Sequence, residues 1–359
     1  MKEKVAIGII GTGFARKVQI PCFLECADVS IVSVSSGRLE NAEATAKEFN
    51  IAHFTDDWRE TVGHEAVDLV CITTPPNLHL EMTLAAIENG KHVLCEKPMA
   101  MNAAEAREML EMAREKGVLA LVDHELRFQN GRQKAFEMLR RGEIGKIRHA
   151  KYNFRAPHRG DPNIAWNWWS DESAGGGALG AVGSHVIDSF LWFLGTDISK
   201  IFCQLQTHIK QRRDAHSGEM RAVTTDDEVN MILRFADGDL TEDATANVSI
   251  SMTEYPNYHN YVEFFGSEGA IRVEHRGEIF LAKSGETDWR EVDFGLGRAV
   301  EGVADTGFSR GFMEFAPEIV KAIREGKREI KHAATFADGL KVQIVLDKAV
   351  ESSKSGEIK

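Results

Sequence analysis

Residues 5–16 read Val5-Ala6-Ile7-Gly8-Ile9-Ile10-Gly11-Thr12-Gly13-Phe14-Ala15-Arg16. An uncharged run rich in β-branched side chains predicts a buried strand over Val5–Ile10. It leads into Gly-Thr-Gly and then into helix-periodic sequence over residues 14–26, kinked by Pro21. Each glycine has a chemical task. Gly11 permits a tight turn, Gly13 lets backbone N–H groups approach a pyrophosphate, and the helix N-terminus that follows adds its partial positive charge. The full Gly-x-Gly-x-x-Gly pattern places a third small residue at position 16, where this chain has Arg16. That bulk strains close helix–strand packing unless the side chain turns outward. A lone Gly-x-Gly also makes a plain turn. A strand before it, a helix after it and further units of the same kind make dinucleotide binding by Gly11, Thr12 and Gly13 the reading.

Those further units follow. Strand-like runs at residues 29–34, 67–72, 92–95 and 118–122 alternate with helical patterns at residues 39–49 and 78–89. Another helix opens at Asn102, with Glu105 three residues later as a capping-box variant, and ends near Gly117. Such alternation implies parallel βαβ units with helices on both faces of the sheet. Beyond His124 the pattern changes. A helix at residues 132–141 precedes alternating runs at residues 229–235, 245–252, 261–265 and 270–273, separated by Gly-Asp, Ser-Glu-Gly and Arg-Gly turns. Strands joined by tight turns suggest an antiparallel or mixed sheet with a few helices on one face. The expectation is an α/β chain of two contiguous domains, residues 1–123 and 124–359, and 359 residues suit about two domains.

Composition narrows the partners. The chain carries 43 Lys plus Arg against 55 Asp plus Glu, a net charge of −12. That balance argues against nucleic acid or an anionic membrane as the main partner. No apolar run in the sequence approaches the ~18 residues of a membrane span. Five cysteines cannot all pair, and Cys22 and Cys26 read as small buried apolar residues one helical turn apart rather than a zinc or redox pair. The first apolar segment starts directly after Met-Lys-Glu-Lys, which leaves no room for a signal peptide, so a cytoplasmic protein is expected. Cofactor choice rests on the end of the second strand, Ser35-Ser36-Gly37-Arg38. An NAD site usually has Asp or Glu there for the ribose 2′-hydroxyl. Here no carboxylate repels a 2′-phosphate, and the hydroxyls of Ser35 and Ser36 with Arg38 can hold one, so NADP is favoured over NAD. The plainer alternative makes Arg38 a solvated helix-start residue.

At Cys95-Glu96-Lys97-Pro98 the chain resembles the Gfo/Idh/MocA family of glucose–fructose oxidoreductase and inositol dehydrogenase-like proteins. The segments Thr74-Pro75-Pro76-Asn77-Leu78-His79, Gly175-Gly176-Gly177-Ala178-Leu179, Gly183-Ser184-His185 and Ala337-Asp338-Gly339-Leu340 extend the likeness over nearly the whole chain. The resemblance implies an N-terminal Rossmann domain and a C-terminal α/β domain with a large open, mostly antiparallel sheet. It implies a homodimer or homotetramer built through that sheet, and hydride transfer on a sugar, polyol or related carbohydrate. It also implies cofactor contacts from Phe14, Thr73, Thr74, Pro75, Asn77, His79, Glu96 and Lys97 beside the glycine turn.

Lys97 follows a strand, where open α/β sheets place their ligands, and its ammonium can stabilise charge developing on a reacting oxygen. Pro98 fixes the backbone, through a cis bond as in the family. His185, on a helix read from about residue 178 to 194 and closed by Gly195, is the second catalytic candidate, a general acid/base near neutral pH. One departure matters. The family's usual catalytic Asp sits four residues before the histidine, and this chain has Ala181 there. Asp188 is the nearest substitute, although a structural salt bridge is its plainer reading. Besides Lys97 and His185, Arg127 and Trp168 are the substrate-contact candidates. Trp166 and Trp169 share the stacking argument, and Arg155 and His158 offer weaker anion or hydroxyl contacts. Two rival readings remain at this level. One is a cofactor-recycling sugar lyase or glycosidase, with His185, Tyr258 or Tyr261 as base. The other is a catalytically silent nucleotide-binding sensor, supported only by Ala181.

Overall fold

Every side chain of β1 (Val5–Ile10) is buried, as a strand flanked on both sides and covered on both faces requires. In this computed structural model, which describes residues 3–215 and 217–359, β1 pairs in parallel with β2 (Val29–Ser35) and β4 (Leu69–Ile72). With β3 (His53–Thr55), β5 (His92–Cys95) and β6 (Ala120–Val122) the order is β6-β5-β4-β1-β2-β3, and the short strand Ala334–Thr335 adds antiparallel to β6. The chain reverses its winding between β1 and β4. Open α/β sheets bind ligands outside the strand ends at such a switch point, here Gly11 and Thr73. Two apolar clusters sit on the sheet's two faces, one around Val5, Ile7 and Phe23, the other around Val70, Val93 and Phe336.

Local chemistry accounts for the helix ends. Asn102 accepts the Glu105 N–H at 3.0 Å while the Glu105 carboxylate accepts the Met101 N–H, and Gly117 closes the helix Ala103–Lys116 in the left-handed conformation. The helix after the glycine turn is split into a π-turn over Ala15–Gln19 and an α-helix over Ile20–Leu24, with Pro21 in its first turn. Proline is tolerated there because its missing N–H lies where the helix has least use for it. Sequence reading passed over the short strand β3 and the helix Trp58–Gly63, which is capped by Asp57 accepting the Arg59 N–H.

The contacts divide the chain differently from the two contiguous stretches expected. One compact unit takes residues up to Phe128 together with Gly297–Lys341, and the other takes Gln129–Leu296 with Val342–Lys359. The physical reason lies in the helix Gly307–Glu325. Phe312 packs edge-on against Phe23 at 5.2 Å between ring centroids, and Phe315 stacks on Phe128 at 4.3 Å. This late helix therefore completes the core of the first unit.

The second unit is built on one large sheet. It contains β7 (Ile147–Arg155), β8 (Ile198–Gln206), β11 (Glu228–Phe235), β12 (Thr241–Ser251), β13 (His259–Gly266), β14 (Gly269–Val273), β15 (Ile279–Lys283) and β16 (Arg290–Val292); a separate hairpin pairs β9 (Gln211–Arg213) with β10 (Met220–Ala222). The order is β16-β15-β14-β13-β7-β12-β11-β8, antiparallel except for the parallel pair β7–β12. Burial alternates along β11, so one sheet face is covered. The covering helix is Ser184–Leu194. Its Phe190 meets Phe235 at 5.5 Å, and Phe193 meets Phe264 at 5.1 Å. Together with the preceding turns, the helical stretch Glu172–Leu194 is long and apolar enough to cross a membrane, contrary to the sequence expectation, but it is mostly buried as the core helix of this unit. The intervening glycines had masked its length.

Candidate active site

The glycine turn is built as its chemistry requires. Gly11 has φ +95°, and a Cβ there would lie 2.6 Å from the Thr73 carbonyl oxygen, so no other residue fits. Thr73 fastens the turn, its backbone N–H donating to the Ile10 carbonyl and its hydroxyl to the Gly11 carbonyl at 2.9 Å. A Cβ on Gly13 would meet nothing within 4 Å. The turn thus presents open backbone ahead of the helical segment, a cradle that fits a dinucleotide pyrophosphate. Arg16 turns outward and pairs with Glu48 at 2.5 Å, while Ala15 is the small buried residue under the turn. Phe14 is half-buried just ahead of the π-turn.

At the end of β2 the two serines part. Ser35 is buried, its hydroxyl 3.4 Å from the Ile9 carbonyl. Ser36 is half-buried beside the Thr12 hydroxyl, and Arg38 is exposed at the start of the helix Leu39–Phe49. After β4, Thr74 and Pro75 are half-buried and Asn77 is exposed. His79 is fully buried, with Nδ1 3.1 Å from the Pro98 carbonyl oxygen and Nε2 2.9 Å from that of Thr74. Burial holds its pKa below the ordinary value against the pull of those carbonyls. Its ring nitrogens serve the chain's own backbone, bracing the loop after β4 against the loop after β5.

Lys97 follows β5, joined to Pro98 by a cis peptide bond. Its side chain is one-fifth exposed, and Nζ lies 3.8 Å from Glu96 Oε2. Behind it, Gln19 Nε2 donates to Glu96 Oε1 at 3.2 Å and to Asp123 Oδ2 at 2.7 Å. Burial raises Glu96, against the nearby Lys97 ammonium, and burial with the Glu125 and Glu96 carboxyls raises Asp123 well above the usual carboxylate range. Sequence reading singled out neither Gln19 nor Asp123. An acid at the end of a strand was the one available signal, and nothing marked Gln19. Arg127 is buried, its guanidinium directed to Asp338 Oδ1 and the His332 carbonyl, each at 3.4 Å. Burial tends to raise Asp338, but Arg127 and the Thr335 hydrogen bonds outweigh it and hold the acid below its ordinary range.

In the second unit, His185 is buried in the first turn of the helix Ser184–Leu194. A π-turn over Leu179–Gly183 precedes it, closed by the Ser184 N–H donating to the Leu179 carbonyl. A π-turn holds an extra residue, so Ala181 does not stand in the α-helical i, i+4 relation to His185 that uniform helix geometry implies; its methyl packs against the apolar core. The helix is braced from behind. The Ser189 hydroxyl donates to the His185 carbonyl at 2.6 Å and accepts from Arg132 Nη1 at 2.8 Å, and Arg132 Nη2 donates to the Tyr152 hydroxyl. Asp188 is buried on the same helix. Ahead of the π-turn, a Cβ on Gly176 would lie 2.4 Å from the Trp169 carbonyl oxygen and one on Gly177 2.5 Å from Asp226 Oδ1. The Asp226 carboxylate accepts the Leu179 N–H at 2.7 Å, and burial raises its pKa to about 7.

Three tryptophans precede those glycines. Trp166 lies under the Arg221 guanidinium and Trp169 under that of Arg159, whereas Trp168 is 41% exposed. Arg155 is tied to Ser249 and Glu254. Burial, then Arg159 and Arg212, hold the His158 pKa down. Tyr258 and Tyr261 are pushed up by burial, which disfavours a phenolate base.

Comparison with known proteins agrees with this geometry. Residues 5–124 match a family model described as oxidoreductase family, NAD-binding Rossmann fold, and residues 132–272 match the GFO/IDH/MocA C-terminal domain. The chain is 30% identical to levoglucosan dehydrogenase of Pseudarthrobacter phenanthrenivorans over 98% of this chain and 96% of that protein. It is 35% identical to D-glucoside 3-dehydrogenase of Escherichia coli over 53% of this chain and 54% of that protein. Among solved structures, levoglucosan dehydrogenase in complex with NADH and L-sorbose superimposes with a TM-score of 0.88 at 28% identity, covering 99% of this chain and 98% of that one.

Proposed function

The chain belongs to the GFO/IDH/MocA oxidoreductase family, and from that membership we propose that it oxidises a ring hydroxyl of a hexopyranose-like sugar, using NADP in preference to NAD. The observation that carries the reading is Lys97, its side chain one-fifth exposed after β5 beside the Glu96 carboxylate, in the same unit as the Gly11–Gly13 cradle. Substrate class is supported by similarity to proteins named for levoglucosan and for a D-glucoside. A nicotinamide dinucleotide held at the Gly11–Gly13 turn would supply hydride acceptance at the carbinol carbon. Lys97, entering the step as the free amine, binds the substrate oxygen and takes its proton as the hydroxyl becomes a carbonyl, leaving as the ammonium beside Glu96 and returning the proton in the reverse direction. His185 serves as the second proton-handling group, with Trp168 offering an indole face to the sugar. Arg127 is the further substrate-contact candidate, its guanidinium oriented by Asp338 and the His332 carbonyl. The NADP preference is supported by Ser36 and Arg38 and by the lack of a carboxylate at the end of β2. Similar structures carry NADH, which makes cofactor choice a point to measure. Assembly as a homo-oligomer through the uncovered face of the large sheet completes the proposal.

A panel of pyranoses, 1,6-anhydrosugars and glucosides, assayed with NAD and NADP by nicotinamide absorbance, tests the activity. Sustained reduction of cofactor is expected. Product formed without net reduction would assign the chain to the cofactor-recycling lyases instead. Cofactor titration by tryptophan fluorescence should give the lower Kd for NADP, and an equal or lower Kd for NAD removes that preference.

A further inference from the structure

Two acidic side chains are buried behind Lys97, and the proposed hydride transfer gives neither a task. Glu96 is 8% exposed, while Asp123 and Gln19 are at 0%. A single amide nitrogen, Gln19 Nε2, donates to both carboxyls, at 3.2 Å to Glu96 Oε1 and 2.7 Å to Asp123 Oδ2, and so holds the two acids side by side. Two buried carboxyls gathered on one donor do not both ionise; one keeps the charge and the other keeps a proton. Their neighbours decide which. Glu96 Oε2 has the Lys97 ammonium at 3.8 Å and the Lys97 backbone N–H at 3.3 Å, and both favour its anion. Asp123 faces Glu96 and Glu125 together with the buried thiols of Cys22, Cys71 and Cys95, and the two carboxyls disfavour its anion. Asp123 Oδ1 accepts no hydrogen bond from any described residue, as expected of the oxygen that carries the proton.

We propose that Asp123 is a protonated acid donating its hydrogen bond to the Glu96 carboxylate, and that this pair, braced by Gln19, is the positioning group for the Lys97 ammonium. The arrangement leaves one negative charge beneath Lys97 instead of two. Gln19 ends the π-turn that follows the glycine cradle, so the same cluster ties the cofactor side of the sheet to the strand end bearing Lys97. The functional meaning of the pair rests on the proton-handling role proposed for Lys97; its protonation does not.

The test uses the full chain without substrate. At pH 9, where Asp226 has ionised, the infrared difference spectrum of wild type minus Asp123→Asn should show a carboxylic-acid carbonyl band, since the variant's amide N–H replaces the acid O–H toward Glu96. A difference spectrum without that band overturns the shared proton. Positioning is read from the rate of Lys97 acetylation by acetic anhydride at fixed pH, followed by peptide mass spectrometry. Glu96→Gln removes the facing anion and should raise that rate severalfold, whereas Asp123→Asn should leave it in place. An unmoved rate in Glu96→Gln overturns the positioning role. Neither measurement needs turnover, so failure of the sugar panel would refute the oxidoreductase reading while these results still decide the acid pair.

Discussion

Lys97 and Ala181 are the two positions where one side chain puts the proposed chemistry to the test. Lys97→Met keeps a side chain of similar length but loses the ammonium. It should lower kcat for the confirmed sugar by about 10²–10⁴-fold, the usual worth of a positioned acid or base, with the Kd for NADP unchanged. Stopped-flow hydride transfer with parallel cofactor titration checks this, and unaltered turnover would remove the lysine from the chemistry. Ala181 is a different case. Its methyl packs on the apolar core from within a π-turn. Ala181→Asp therefore sets a carboxylate against apolar neighbours and should cost about 1–3 kcal/mol of stability in urea unfolding. A variant as stable as the wild type would show that position 181 is solvated. The sequence marked Lys97 directly as a candidate, because Glu-Lys-Pro after a strand is a local pattern. It revealed Ala181 as a departure but not its surroundings, since a π-turn inserts a residue that uniform helical periodicity does not anticipate.

Among the elements, the helix Ser184–Leu194 depends on what holds its entry turn. Asp226 reaches that turn from the segment before β11, accepting the Leu179 N–H, with its carboxyl raised by burial from 3.8 to about 7. The folded chain then binds this proton more tightly than the unfolded chain. The contribution is fully present below about pH 4 and is lost as pH rises through about 7. Asp226→Asn keeps the acceptor for Leu179 and removes the titration. Thermal melts should find the variant little changed near pH 4 but gaining on the wild type as pH rises to 8, by up to ~1.4 kcal/mol per unit within that window. A stability difference independent of pH would mean that Asp226 is ionised throughout. Most elements of the first unit were legible because buried parallel strands are short apolar runs between capped helices. The helix Trp58–Gly63 escaped notice, being too short to show a period, and β7 and β8 alternate weakly, with charged residues on their open face.

For the whole molecule, the first unit is not closed by residue 128. Phe312, Phe315, Ala316 and Ile319 enter its core from the helix Gly307–Glu325. Full burial of such side chains stabilises by roughly 1.5–3 kcal/mol each for the larger ones, and a domain has only about 5–15 kcal/mol in total. A fragment of residues 1–128 should therefore show no cooperative thermal transition by near-UV circular dichroism. Residues 1–128 joined by a flexible linker to residues 297–341 should recover one. A cooperative melt of the short fragment would show that the late helix is dispensable to that core.

The sequence by itself determined the glycine turn after β1, the parallel first sheet and the change of pattern after His124, because each is written in neighbouring residues through turn chemistry, caps and periodicity; Glu96, Lys97 and His185 it offered as candidates through a family resemblance. The tertiary structure decided the rest. It returned Gly297–Lys341 to the first unit, gathered Gln19, Glu96 and Asp123 behind Lys97, and brought Asp226 to the turn before His185. Those pairings join residues far apart in the chain. They arise because buried polar groups must find partners and apolar faces must find cover wherever the fold brings them together, and no local pattern records where that will be.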